Sequence, residues 1–168
     1  MNTAELLSDA VERSREVSHH VLDGLSADLV NEAPRPGANP IGWLVWHLAR
    51  QEDLQIADLA GTEPVWTSQG WAAKLALDLP DDAMGYGMKP NEVARVRITD
   101  TAALLGYLDA TVEATLAYVA TLDEGALDDI IDTNWDPPVT RGVRLISVVD
   151  DAAQHAGQAA YVRGLLEG

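Results

Sequence analysis

The chain carries four histidines, His19, His20, His47 and His155, and 27 acidic side chains that can pair with them. On a helix, an acid four residues before a histidine shares its face, so a carboxylate oxygen and a ring nitrogen can aim at one point and grip a divalent metal. Two such pairs exist, Glu16 with His20 and Asp151 with His155. Chance alone supplies about 0.6 pairs at this composition and helical spacing, so spacing does not choose between them. Their neighbours differ. Arg13, Arg15, Ser18 and Asp23 surround the first pair and read as a solvated face, whereas Ala152, Ala153, Ala156, Ala159 and Ala160 leave room around the second for a ligand or a close helix.

His47 lies in GWLVWHLARQED, flanked by Trp43 and Trp46 and beside an apolar stripe, so it faces inward from another helix. It would complete a set of two histidines and one carboxylate. Three protein ligands leave a coordination position open, the arrangement of a catalytic rather than a structural zinc. The same residues admit a plainer reading, a core histidine with one backbone partner and a solvated Asp–His pair. Asp150, five residues before His155, falls off the shared face. Gln158, three residues after His155, can reach the same cavity or simply flank the helix.

The elements that must position these groups are helices. From Thr3 to Leu25, apolar residues recur at helical spacing, with Thr3 as the expected N-cap and Gly24 near the end. EAPRPGANP, Glu32 to Pro40, cannot continue a helix; Asn39 is the expected cap of a second one with Pro40 in its first turn, running to Gly61. Asp100 opens a third helix, on which Leu104, Leu105, Leu108, Val112, Leu116 and Val119 mark the apolar face. NWDPPVTRG breaks the chain before a fourth helix from about Val143 to Leu166, with Leu145, Ile146, Val149, Ala152, Ala156, Val162 and Leu165 among its core candidates. Four helices of roughly 20 residues imply an all-α four-helix bundle in one domain, residues 1–168. Thr62 to Thr99 is too long for a bare loop, so one or two short helices are expected inside it, together with a natural binding lid. That crossover lets the second and third long helices run parallel.

Composition narrows the chemistry. With 11 basic against 27 acidic side chains the formal charge is −16, which repels a phosphate backbone and argues against nucleic acid as a partner. There is no cysteine, so any sulfur chemistry must come from a small molecule. The first residues form neither a signal nor an anchor, and no apolar run approaches a spanning length, so a soluble, cytoplasmic protein is expected.

The phrase W-H-L-A-R-x-E-D on the second helix and D-A-A-Q-H-A-G-Q-A-A-Y-x-R-G on the fourth resemble the DinB-like superfamily. GANPIGWLVWHLARQED, LAGTEPVWTSQGW, GYGMKPNEVARVR and DDAAQHAGQAAYVRGLL resemble its actinobacterial thiol-dependent branch, which includes mycothiol S-transferases and mycothiol-dependent maleylpyruvate isomerase. The likeness runs from about Leu22 to Gly168. It implies an up-down-down-up bundle holding a divalent metal, zinc first and nickel second, on His47, Asp151 and His155. Many members have a third histidine where this chain has Asp151; the isomerase branch has an acid at that place. The implied activity is transfer of a metal-activated thiol, mycothiol first, to a small electrophile. Trp66, Trp71, Gln158 and the scarce arginines Arg141, Arg144 and Arg163 are candidates to contact these substrates. A non-catalytic metal- or ligand-binding bundle and a metal-assisted hydrolase use the same residues, and an exposed apolar face would permit a homodimer.

Overall fold

In chain order, the computed structural model (residues 1–168) has α1 (Thr3–Leu22), α2 (Ala27–Asn31), α3 (Ile41–Ala60), α4 (Val65–Ser68), α5 (Trp71–Lys74), α6 (Pro90–Val93), α7 (Thr101–Val119) and α8 (Arg141–Glu167). A 3-10 turn at Gly125–Asp128 and an antiparallel ribbon of β1 (Ile130–Asp132) and β2 (Val139–Thr140) precede α8. The long helices α1, α3, α7 and α8 form the all-α bundle the periodicity implies. His19 meets Asp109 and Leu7 packs with Val119, so α1 and α7 are antiparallel. Gln51 reaches Val148 and His47 faces Asp151, so α3 and α8 are antiparallel too. Leu7 clusters with Leu145 near the start of both helices and Arg163 reaches the His20 and Val21 carbonyls near their ends, which sets α1 and α8 parallel. Helices α3 and α7 therefore also run parallel, joined by the long crossover. No helix is long and apolar enough to cross a membrane.

The helix ends differ from expectation in detail. Asn2, not Thr3, caps α1, accepting from Glu5 N at 2.8 Å while the Glu5 carboxylate accepts from Asn2 N at 2.9 Å, a reciprocal capping box. Pro40, not Asn39, holds the cap position of α3, and α8 begins two residues early because the Thr140 hydroxyl accepts from Val143 N. Asp100 caps α7 as expected. The crossover holds three short helices, and α2 and the ribbon are additions that no periodicity foretells, being too short to show one. On α8, Ile146 and Leu165 turn outward, at 60% and 53% exposed.

Helix α3 is the centre of the molecule. Every residue from Ile41 to Asp53 is buried, so its polar side chains Arg50, Gln51, Glu52 and Asp53 lie inside along with its apolar ones. They meet a polar stripe on α7, Tyr107, Thr111 and Thr115, one helical turn apart. Asp53 accepts from Val65 N at 2.7 Å and Trp66 N at 2.9 Å, which pins the start of α4, and from the Tyr107 hydroxyl at 2.8 Å. Arg50 donates to Asp53 at 3.2 Å and to the Ala83 and Asp81 carbonyls at 2.9 and 2.6 Å, and its guanidinium stacks 4.6 Å from the Trp66 ring centre. One buried ion pair thus fastens the start and the middle of the crossover to α3.

Glu52 has only the Thr115 hydroxyl, at 2.6 Å, to offset its removal from water. Burial, with Asp53 adding its charge, pushes its pKa to about 7 from 4.5. A raised acid binds its proton more tightly in the folded state, so this group lowers stability as pH climbs from about 4.5 to about 7 and levels off above. Glu52→Gln keeps an acceptor for Thr115 and removes that slope. Urea unfolding at pH 5 and pH 8.5 is expected to show the variant gaining on the wild type by about 2–3 kcal/mol between the two. An equal pH response in both proteins would place the charge elsewhere.

Candidate metal centre

The site lies where α3, α8 and the crossover meet. His47, Asp151 and His155 each present a ligand atom, and these atoms lie within 4.8 Å of one another. Asp151 and His155 share a face of α8 because they are four residues apart, and His47 reaches them from the antiparallel α3. Asp151 Oδ2 is 3.9 Å from His47 Nε2, and Asp151 Oδ1 is 3.6 Å from His155 Nε2.

The far nitrogens of both rings are engaged. Nδ1 of His47 donates to the Met84 carbonyl, which can only accept, so that nitrogen holds the proton and Nε2 of the neutral ring is bare. Nδ1 of His155 donates to Gln158 Oε1 at 3.0 Å, with the same consequence. Asp151 Oδ2 is buried with no hydrogen-bond partner. Three lone-pair donors therefore face one another. Burial lowers the His47 pKa, aided by His155 and opposed by Met84 and Asp151, which keeps the ring neutral and able to donate a lone pair. Hydrogen bonding and charge from Asp151 raise the pKa of His155 against its burial, so without a metal a proton is drawn into the same gap.

The surroundings hold the rings in place. Trp43 stacks on His47 at 4.8 Å between centres and meets His155 edge-on at 6.2 Å. Gly85 of the GYG turn lies flat on His47: its φ is +102°, and a Cβ there would stand 2.5 Å from Nδ1 and 3.0 Å from Trp43. Met84 and Gly85 are the two supporting residues that sequence reading missed; the glycine-flanked turn was visible, but its partner in space was not.

The remaining candidates are placed as follows. Gln158 stands behind His155 and fixes its ring. Trp66 is a correction: at 1% exposed it is core, packed on Trp46, Tyr107 and Arg50, and it presents no face to a ligand. Trp71 packs against Gly106 and Tyr107 of α7, away from α8, with Lys74 over its ring. Arg163 is also a correction. It donates to the carbonyls of His20, Val21 and Asp23 at 2.8–3.0 Å and so caps the C-terminus of α1. Arg141 is taken up by Tyr118 and Asp129, and Arg144 by Asp132. Glu16 and His20 gather no third ligand, while His19 bonds to Asp109 at 2.7 Å.

A four-helix bundle with a long crossover and an inward cluster of two histidines and one aspartate defines a class of protein. The chain belongs to the DinB superfamily, whose family model matches residues 10–159. It is similar to a solved structure described as the crystal structure of the conserved protein of locus from Enterococcus faecalis. The two share 42% sequence identity with a TM-score of 0.92, over 98% of this chain and 97% of that one. No curated protein matches the chain.

Proposed function

We propose that His47, Asp151 and His155 hold a divalent cation, zinc or nickel, and that the protein uses it to transfer a low-molecular-weight thiol, mycothiol first, to a small electrophile. The facing lone pairs carry this reading: two bare imidazole nitrogens and a carboxylate converge, and the buried Asp151 Oδ2 has no partner. The donor set fits an ion. Ligand atoms about 2 Å from a tetrahedral metal stand about 3.3 Å apart; the separations of 3.6 and 3.9 Å are wider than that, and the three atoms lie within 4.8 Å, so the side chains close slightly to grip an ion. Each histidine also gives its other ring N–H to an oxygen, the usual support of a metal-bound imidazole. Two histidines and a carboxylate suit ferrous iron as well, which puts iron and manganese in the loading panel.

Bound there, such an ion supplies the Lewis acidity that lowers the pKa of a coordinated thiol toward neutrality. The protein's share is positioning and charge. Trp43 and the Gly85 backbone keep His47 from turning, and the single carboxylate offsets only part of a dication's charge, which favours an incoming anion. The Asp151 side chain stays 39% exposed and that of His155 17%, so the cluster is open to a solute on one side. The chain has no cysteine of its own, and its crossover and α8 phrases resemble the mycothiol branch; both favour a borrowed thiol.

The test is a conjugation assay. Zinc- or nickel-loaded protein with mycothiol and monochlorobimane is expected to give a rate above the uncatalysed reaction that vanishes on chelation and returns on reloading. Other small thiols run beside it fix the cofactor. Metal-dependent ester cleavage without thiol dependence would put hydroxide in place of the thiol, and metal binding with no turnover would leave a binding module.

A further inference from the structure

The arginines that the sequence offers to a substrate are all occupied, whereas Arg35, Lys89 and Arg97 pair with no acid. Seven of the eleven basic side chains make ion pairs with acids. Lys74 sits on Trp71. Arg35 has no acid within ion-pair distance and lines a cavity of about 310 Å³ with Pro34, Leu44, Gln158, Tyr161 and Val162. The volume is at the small end of ligand sites, and the lining is the usual one of apolar walls with few polar groups.

The cavity's place relative to the cluster matters most. Leu44 precedes His47 by three residues on α3, and Gln158 follows His155 by three on α8. The helices are antiparallel, so both steps move the same way along their shared groove, by about one turn or 5 Å. Gln158 belongs to both places: its oxygen fixes His155, and its side chain lines the cavity. Arg35 is carried to the rim by the proline-flanked turn in which Ala38 N donates to the Arg35 carbonyl at 3.1 Å. Tyr161, 69% exposed, forms the aromatic wall.

We infer that this cavity binds a small, mainly apolar carboxylic acid, its carboxylate on Arg35 and its body between Leu44, Tyr161 and Val162. A planar guanidinium with no competing acid is the group best shaped to take a carboxylate in two parallel hydrogen bonds. In a chain of net charge −16 a cation without an acid partner is scarce, so the attraction for such an anion at Arg35 is local. Resting on the function proposed above, this makes carboxylate-bearing electrophiles the substrate class of the neighbouring metal centre.

The experiment separates the two readings because Arg35 is not a metal ligand. Metal-free and zinc-loaded protein are titrated with 4-phenylbutyrate and, separately, with its neutral amide, following backbone amide shifts by NMR. The acid is expected to shift Arg35, Tyr161 and Val162 saturably in both forms and to bind at least tenfold more tightly than the amide, the scale of one charge-assisted contact. Arg35→Gln is expected to abolish that preference and Arg35→Lys to restore part of it. Equal binding of acid and amide, shifts centred elsewhere, or an unchanged preference in Arg35→Gln would overturn the inference. The thiol assay bears on the metal centre alone: its failure leaves carboxylate binding standing, and loss of carboxylate binding leaves thiol transfer standing.

Discussion

Asp151→Asn is expected to weaken zinc binding more than about 100-fold and, in the same protein, to raise metal-free stability by about 1 kcal/mol. Both effects come from one atom. Asp151 Oδ2 is buried without a partner and faces Nε2 of His47, itself an acceptor because Nδ1 holds the proton. A charged acceptor held against two other acceptors costs stability until a cation enters, and function retains such arrangements at the expense of the fold. Asparagine has the same shape, and its amide can donate to either bare ring nitrogen. Urea unfolding in chelator, followed from pH 7 to pH 9, reads the first state, and the higher pH favours the neutral His155 ring whose proton Asp151 otherwise holds; unfolding in excess zinc reads the second. The order of stability is expected to invert: variant above wild type without zinc, and wild type above variant with it, since zinc at 100 times its Kd adds about 2.7 kcal/mol only to the protein that binds it. A metal-free variant less stable than wild type would show that the carboxylate is already satisfied. Unchanged zinc affinity would remove Asp151 from the ligand set.

The carboxylate and both histidines were legible because helical spacing is a property of sequence. Four residues put Asp151 and His155 on one face, and alanines around them announced space. His47 was legible through its neighbours, two tryptophans on an apolar helix. What held these ligands was less so. Met84 and Gly85 come from a crossover whose path obeys no period, and nothing in GYG says which ring it will lie upon. Trp66 and Arg163 show the opposite error: an aromatic ring and a guanidinium serve a core or a helix end as readily as a ligand, and residue type does not name the partner. Periodicity worked for α1, which meets solvent on one side, and failed for the first thirteen residues of α3, which meet protein all round and so have no face to mark.

Arg50→Met is expected to destabilise the protein by about 3–5 kcal/mol, the cost of leaving one member of a buried ion pair alone. Asp53 would keep its contacts with Val65, Trp66 and Tyr107 and lose its counter-ion, while the Asp81 and Ala83 carbonyls would lose their donor. The double variant Arg50→Met with Asp53→Asn is expected to recover part of the loss, since no uncompensated charge remains; a purely packing role for Arg50 predicts no recovery. The crossover supplies a second readout. Ala83, which Arg50 holds, is bonded to Met84, whose carbonyl fixes the proton on His47. Freeing that segment loosens the His47 ring, so zinc affinity measured against a chromophoric chelator under conditions where the double variant is folded is expected to fall about 10–100-fold, the range seen when support of a metal-bound histidine is removed. If stability recovers in the double variant while zinc affinity stays at the wild-type level, Arg50 holds the fold and does not position the site.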